Sequence, residues 1–559
     1  MVDIDINNPQ ELFSYNMGHM PIIAHWCDRL QLNKIFDDNL GRASKIPPSV
    51  VVKAMVLDTL HGRSPLYHLE RTFEDTDNEL LFGKPYHSHD FNDDGIGRTL
   101  DSIQAYGCEK LYTELTLNAL ETFSLDTTHA HYDTTSVNVW GAYEHIPAPG
   151  KGPNITHGYS KDKRPDLKQL MMDLVCVEGN IPILGRTKDG NSSDEKLNNE
   201  ILMKLRDYCD QAGRKAGLYV ADSKLVTEDN LTGPLNGKEF VTRLPATHGV
   251  HDKVIHEALK EGNWQELGTL SESESKNPKR PSACYKVCEK EVTLYGKSFR
   301  AIVVHTTAKD KRKTKALASR ILKEQQELSK ALKRITKETF SCQNDCENAM
   351  NKLLKKAPKF HAIEAKVVPT PIFSKGRLKE GADRGIERYD YHIAFELTRN
   401  VEKIRKQESI CGCFVLIASK ETAQQGPKEL LLAYKGQSGV ETNFRFIKDP
   451  IIVNDLFLKK ATRIESLGLI LLISLLVYNL IQRSMRQYVQ EKDTELIGFD
   501  NKKTRKPTTY MLYWAFKSFM VIKQGNSRVI GSRKKEDQRQ FLQSMHMDFD
   551  IFTEPCRHL

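Results

Sequence analysis

Apolar and polar residues alternate with a helical period through roughly the first 125 residues of the chain. The stretch PPSVVVKAMVLDTL begins with two prolines and carries apolar residues at helical spacing, and a second helix over residues 65–75 is expected after the break at HGRS. Helix, short turn and helix suits a helix-turn-helix reader of DNA, but the pattern by itself favours a plain helical bundle. We predict an all-helical domain over residues 1–125 and expect it to bind DNA.

The period changes near residue 130, where apolar and polar residues begin to alternate as in a strand. Asp133 lies mid-way along AHYDTTSVNVWG, and the strand-like stretches QLMMDLVCVEG and IPILGRT follow it. A helix, a short strand that ends in Asp222, another helix and a fifth strand complete the order β-β-β-α-β-α-β. This is the order of an RNase H-like fold, an analogy at the level of the fold alone. We assign the first part of this α/β core, a mixed sheet, to residues 126–245.

A long interruption, residues 246–430, separates this core from the rest of the chain. It holds a hairpin-like pattern and the long basic helix KDKRKTKALASRILKEQQELSKALKRITKETF, so we predict a large α+β insertion domain. A second part of the core is expected over residues 431–490 and a basic, helical C-terminal segment over residues 491–559. The apolar run LGLILLISLLVYNLI has 15 residues, whereas about 20 are needed to cross a bilayer. We therefore predict a buried core helix there and no membrane partner.

Net charge places a polyanion among the expected partners. The 559-residue chain carries a formal charge of +9, and residues 301–360 alone hold 15 Lys and Arg against 6 Asp and Glu. The basic excess is thus concentrated in one segment, whose helix would either contact a phosphate backbone or be solvated. The eleven cysteines lack the tight CxxC pairs typical of zinc sites, and the acidic N-terminus has no apolar signal region. We expect reduced cysteines in a cytosolic protein.

Three acidic residues on this predicted core suit phosphoryl transfer. Asp133 is on the first strand, Asp222 ends the fourth strand, which neighbours the first in such a fold, and Glu441 follows the interruption. Three converging carboxylates would bind two Mg²⁺ ions, with Mn²⁺ as a substitute, and so stabilise the attacking and leaving oxygens at phosphorus. Each acid by itself has an ordinary explanation, since Asp222 could cap a helix and Asp133 could be a buried, hydrogen-bonded acid.

The stretch YKGQSGVETNFRFIKDP, residues 434–450, places Glu441 on a polar and cationic helix face. The residues that recur there at spacings of three and four are Tyr434, Gln437, Glu441, Arg445 and Lys448.

This face resembles the signature of bacterial insertion-sequence transposases of the DDE class, in the subgroup with a Tyr–Arg–Glu–Lys motif. Tyr434, Glu441 and Lys448 match at the right offsets, and Gln437 stands where the motif has Arg. HYDTTSVNVWG and GLYVADS resemble the segments around the two aspartates, and HGYSKDKRPDLKQL and DGNSSD resemble segments between them. The resemblance covers nearly the whole chain.

The resemblance implies that the residues around the catalytic Glu bind DNA. Tyr434 and Lys448 would grip phosphates and an extruded base, while Gln437 can hydrogen-bond a phosphate but brings no charge. Arg445, one helical turn beyond the Glu, would supply that charge. In related enzymes an aromatic residue of the insertion stacks on the flipped base. Trp264 is the candidate, and local packing is the alternative explanation for it.

The function expected from these residues is that of a DNA transposase. It would bind the terminal inverted repeats of its element, cleave at the ends and join the freed 3′ ends to target DNA, as a homodimer in the DNA complex and in the bacterial cytoplasm at the nucleoid. The alternatives are an RNase H-like nuclease or resolvase without strand transfer, a domesticated DNA-binding protein, and an α/β protein of another function.

Overall fold

The computed structural model describes residues 12–555 apart from 43–44, 63–67, 142, 145–146, 148–151, 215–216, 271–281, 308–310, 356, 374, 376–384 and 449–459. The chain divides into two compact units. Unit 1 joins Met1–Arg243 to Ala418–Leu559, and unit 2 is Leu244–Ile417.

The amino-terminal part of unit 1 is mostly helical, because its apolar residues recur at helical spacing and prolines begin two of its helices. The elements are β1 (Leu12–Asn16), α1 (Met20–Arg29), α2 (Leu32–Asn39), α3 (Pro48–His61), α4 (Leu69–Thr72), α5 (Asn78–Phe82), α6 (Asp93–Tyr106) and α7 (Cys108–Thr122). The prediction of an all-helical domain is wrong at β1, which pairs antiparallel with Met520–Gln524 near the other end of the chain. Strand partners so far apart in sequence leave no periodic signal in either segment.

The predicted second helix over residues 65–75 is present only at Leu69–Thr72 among the described residues. Residues 63–67 lie outside the described residues, and α4 is a single turn of four residues. The Asn78 side chain donates a hydrogen bond to the Phe73 carbonyl at 3.0 Å, an acceptor that a continuing helix would use.

A mixed sheet forms the centre of unit 1. Its elements follow in the order β2 (His129–Val139), β3 (Lys168–Val177), β4 (Ile181–Lys188), α8 (Asp194–Gln211), β5 (Leu218–Ala221), α9 (Glu228–Thr232) and β6 (Phe240–Arg243). The predicted succession β-β-β-α-β-α-β is therefore confirmed. The strands lie side by side as β4-β3-β2-β5-β6; the first three are antiparallel, and β2, β5 and β6 are parallel.

Unit 2 contains both helices and strands. Its elements are α10 (His251–Glu261), β7 (Gln265–Thr269), β8 (Cys284–Leu294), β9 (Lys297–Thr306), α11 (Lys311–Ile335), α12 (Gln343–Leu354), β10 (His361–Phe373), β11 (Ile386–Arg399), α13 (Val401–Cys411) and β12 (Cys413–Ala418). Strands β12, β9, β8 and β7 lie in that order in one sheet, and β10 and β11 form a separate antiparallel hairpin. Tyr295 and Gly296 join β8 to β9, both with positive φ, as a two-residue hairpin turn requires.

The last part of the chain returns to unit 1. Its elements are α14 (Pro427–Gly436), α15 (Ser438–Ile447), α16 (Ala461–Glu491), β13 (Leu496–Ile497), β14 (Lys503–Thr504), α17 (Thr509–Phe516), β15 (Met520–Gln524), β16 (Ser527–Ile530) and α18 (Glu536–Gln543). Helix α16 is long and apolar enough to cross a membrane, but 89% of its most apolar window is buried inside the protein. It packs against β4, α3 and α6, so the prediction of a buried core helix is confirmed.

Candidate functional site

Asp133 and Asp222 lie side by side on neighbouring parallel strands. The register pairs Tyr132 of β2 with Ala221 at the end of β5; Asp133 is the next residue of β2, and Asp222 is the first residue after β5. Burial raises the pKa of Asp133 to about 6; the Lys161 charge and a hydrogen bond from the Thr134 amide oppose this rise, and the charge of Asp222 adds to it. The two carboxylates are thus near enough to repel each other in a partly buried place.

Backbone contacts hold both carboxylates in position. Asp133 Oδ1 accepts a hydrogen bond from the Thr134 amide at 2.7 Å. Asp222 Oδ1 accepts one from the Lys224 amide at 3.0 Å, and the Asp222 carbonyl accepts one from the Thr242 hydroxyl at 2.7 Å on the neighbouring β6. Burial is the main cause that raises the pKa of Asp222. Two anchored acids therefore share one end of the parallel strands.

A lysine and a third aspartate, neither selected from the sequence, complete this polar cluster. The Lys161 ammonium donates to the Thr134 carbonyl and hydroxyl oxygens, each at 2.7 Å, and lies 3.5 Å from Asp194 Oδ1. The Thr134 hydroxyl donates to Asp194 Oδ1 at 2.6 Å. A signal for both residues was present, because Lys161 lies within HGYSKDKRPDLKQL and Asp194 ends DGNSSD.

Glu441 is exposed on α15, a helix that packs against β2. The electrostatics of Tyr434, in α14, show that Glu441 and Asp222 act on the same side chain. Burial raises the pKa of Tyr434, the Arg243 guanidinium lowers it, and the charges of Asp222 and Glu441 both raise it. The Tyr434 hydroxyl therefore lies within electrostatic range of both Asp222 and Glu441.

Gln437 joins α14 to α15 and is buried, which contradicts its predicted role in DNA binding. Its side-chain amide nitrogen donates a hydrogen bond to the Tyr132 carbonyl at 2.6 Å. A side chain that is 8% exposed and bonded to the sheet cannot also bind a phosphate. Gln437 instead fastens the junction of the two helices to the strand of Asp133.

Lys448 is paired with an acid of the protein, whereas Arg445 is exposed to solvent. The Lys448 ammonium donates to both carboxylate oxygens of Asp162, at 2.8 and 2.9 Å, so a DNA phosphate would have to compete with that acid. Arg445 is exposed, and its guanidinium is 3.5 Å from the Thr442 hydroxyl, which leaves most of its donors toward solvent.

Trp264 lies in unit 2, at the residue before β7. Its ring is 6.1 Å from the His305 ring in an edge-to-face arrangement, and the Lys286 ammonium lies 5.2 Å from its centre. These contacts are those of a locally packed, half-buried tryptophan.

The Asp133–Asp222 pair fits a hard divalent cation. Among the residues the structure describes, no three His, Cys, Asp or Glu side chains are close enough together to enclose a metal ion. Mg²⁺ is commonly held by one or two carboxylates, with waters and substrate phosphate completing its shell. Burial is the main cause of the raised pKa of Asp133, and a cation between the two anchored carboxylates would relieve the repulsion by Asp222 that adds to it.

Comparison with known proteins finds one family, described as a domain of unknown function (DUF4277), which matches residues 12–117. The match covers β1 through most of α7. No curated protein matches the chain.

Proposed function

We propose that the chain is a DDE-type DNA transposase. It would bind the terminal inverted repeats of an insertion sequence, cleave the DNA at its ends and transfer the 3′ ends to target DNA. The observation that carries the proposal is the placement of Asp133 and Asp222 side by side on parallel strands β2 and β5. Paired, partly buried carboxylates at a sheet end are suited to holding Mg²⁺ beside a phosphodiester.

The sheet order supports an RNase H-like core. Numbered within the sheet, the strands lie in the order 3-2-1-4-5, with the first three antiparallel and the last two parallel to the first. Unit 2 enters this core between β6 and α14, ahead of the helix that carries Glu441. Proteins of the same fold can have unrelated functions, so the proposal rests on the carboxylates.

In the proposed mechanism the chain supplies ligands and positions DNA. Asp133 and Asp222 would hold the metal from the sheet, and Glu441 of α15 would be the third ligand. When bound, two Mg²⁺ ions, or Mn²⁺ in their place, would supply activation of the attacking oxygen and stabilisation of the leaving oxygen. Tyr434, with Arg243 beside it, would face a phosphate, and the exposed Arg445 would add a positive charge along the DNA backbone.

The partner of this site would be double-stranded DNA, both element ends and target. Two ends have to be held together for their coordinated transfer, which suits a homodimer in the DNA complex. Such an enzyme would work in the bacterial cytoplasm, at the nucleoid.

A nuclease or resolvase without strand transfer is the second candidate, and two observations favour it. Gln437 is buried and Lys448 is paired with Asp162, so the residues at two of the four signature positions are engaged within the protein. The aspartate pair serves either reaction.

A supercoiled plasmid that carries the element's ends tests the proposal. Purified full-length protein with Mg²⁺ is expected to excise the segment between the ends and to insert it into a second plasmid. Asp133→Asn serves as the matched inactive control. Nicking without insertion would select the nuclease, and binding to the ends without any cleavage would select a domesticated DNA-binding protein.

A further inference from the structure

Lys161 places a positive charge against the aspartates from a loop rather than from the sheet. It lies between β2 and β3, and its main-chain amide donates to the Ser136 hydroxyl of β2 at 3.0 Å. Its ammonium reaches the Thr134 carbonyl and hydroxyl and comes within 3.5 Å of Asp194. The side chain is 29% exposed, so the ammonium is partly shielded from water.

The charge of this ammonium acts on three carboxylates. Asp194 Oδ1 is 3.5 Å away, and the Lys161 charge also acts on Asp133 and on Asp222. Lys224 is another cation that acts on Asp222, but it follows that residue closely along the chain. Lys161 is the cation that acts on both aspartates and is hydrogen-bonded to Thr134, beside Asp133, among three acids that would otherwise repel one another.

We propose that Lys161 is a positioning residue that acts as the internal counter-ion of the Asp133–Asp222 pair in the metal-free protein. Its ammonium hydrogen-bonds Thr134 of β2 and offsets the repulsion between the carboxylates, a task that a bound divalent cation would take over. This inference rests on the proposed metal-dependent function.

The proposal predicts an unusual sign for the effect of removing the lysine. A fixed positive charge repels an incoming divalent cation, so an uncharged residue at this position should tighten metal binding. By Coulomb's law at a dielectric near that of water, the repulsion between a single and a double positive charge about 8 Å apart weakens binding on the order of fivefold. Removing the charge should therefore raise the affinity for the divalent cation by a similar factor. A side chain that merely supported the loop would weaken or leave unchanged the affinity for metal when removed.

The test is binding of Mn²⁺ alone, followed by calorimetry and by electron paramagnetic resonance, on full-length protein without DNA. Lys161→Met and Lys161→Gln are expected to lower the Kd for Mn²⁺ severalfold, and Lys161→Arg to keep it near the wild-type value. Lys163→Met is the matched control, since Lys163 is an exposed lysine two residues away in the same loop. The two neutral variants differ in shape, so one carries the test if the other fails to fold.

The outcomes separate this inference from the proposed function. If the wild type binds Mn²⁺ no better than Asp133→Asn or Asp222→Asn, the metal-dependent function fails and the inference fails with it. If the wild type binds Mn²⁺ through the aspartates and both neutral Lys161 variants bind it equally or more weakly, the counter-ion role alone is overturned.

Discussion

The side-chain amide of Gln437 donates a hydrogen bond to the main-chain carbonyl of Tyr132, 2.6 Å away and buried. Tyr132 immediately precedes Asp133, and Gln437 joins the helix of Tyr434 to the helix of Glu441. One bond between residues 305 positions apart thus sets the two helices against the strand of the first aspartate. The residue that the motif would assign to DNA has a structural task here.

Replacement of Gln437 should therefore lower the stability of the folded protein even without DNA. Gln437→Ala leaves a buried carbonyl without its donor and should lower the free energy of unfolding by about 1–3 kcal/mol. Gln437→Arg, which restores the motif residue, should cost at least as much because it forces a longer, charged side chain into the buried place that Gln437 fills. Urea denaturation measures both, with the exposed Ser438→Ala as the control. An Arg variant as stable as the wild type would contradict the assignment.

Neutralising Asp133 should stabilise the metal-free protein while it removes activity. Burial raises the pKa of Asp133 from 3.8 to about 6, so the folded protein holds this proton more tightly than the unfolded chain. Stability is then lost as pH rises from about 4 through 6, where the folded carboxyl ionises. Asp133→Asn avoids this loss and should be more stable than the wild type above pH 6, by about 1–3 kcal/mol.

The measurement is the pH dependence of unfolding without divalent cations. The difference between the variant and the wild type should vanish below pH 4. Asp207→Asn, at a side chain that is 61% exposed, is the control and should show no such gain. Destabilisation of Asp133→Asn at every pH would indicate a purely structural role for this carboxylate.

Removing any one of the three proposed metal ligands should abolish cleavage while leaving DNA binding nearly unchanged. Asp133→Asn, Asp222→Asn and Glu441→Gln each remove a charge and little volume, so each should lower cleavage by several orders of magnitude while binding to the element's ends stays within a few fold. Gel shifts and plasmid cleavage on the same preparations check this. Metal-dependent cleavage that persists in one variant would remove that residue from the ligand set.

Asp162 should restrain the DNA affinity of Lys448, because it accepts both hydrogen bonds of that ammonium. Asp162→Asn frees the lysine and removes a negative charge, so DNA binding should tighten severalfold and its dependence on salt should steepen. The double variant Asp162→Asn/Lys448→Ala loses one charge of each sign, so its net charge equals that of the wild type and the gain should disappear. Glu144→Gln, at an exposed acid of the same connection between β2 and β3, controls for the loss of one negative charge alone. Equal gains in the single and double variants would show that Lys448 does not contact DNA.

The amino-terminal helices should depend on the end of the chain for stability. Asp77 at the start of α5 is buried and accepts hydrogen bonds from Arg528 of β16 at 2.6 and 3.2 Å, and β1 pairs with β15. Arg528→Leu removes two of the hydrogen bonds to the buried Asp77 and leaves it only the Lys523 ammonium, 3.5 Å away, as a cationic partner among the described residues, so it should cost about 1–3 kcal/mol. Arg533→Leu is the control on a nearby arginine for which no such buried acid is present among the described contacts. Thermal unfolding measures the change in stability. A loss of less than about 1 kcal/mol in Arg528→Leu would contradict a dependence of the amino-terminal helices on the end of the chain.

Much of the fold could be predicted because its signals are local. Alternating residues in HYDTTSVNVWG and an apolar run before Asp222 each specify a strand, and the Ser and Asp before α8 specify its start. Once β2 and β5 lie parallel, strand geometry alone places Asp133 beside Asp222. The burial of α16 follows likewise from its composition, since few faces of that helix are polar.

What the sequence by itself determined, then, is the succession of elements and the aspartate pair, because short-range periodicity and strand alternation are properties of neighbouring residues. Only the tertiary structure decided that Gln437 binds the Tyr132 carbonyl, that Asp162 occupies Lys448, and that Lys161 faces the carboxylates from a loop. Each of these depends on which polar groups remain unsatisfied when distant segments are packed together. A buried carbonyl or acid must find a donor wherever the fold provides one, and that choice leaves no pattern along the chain.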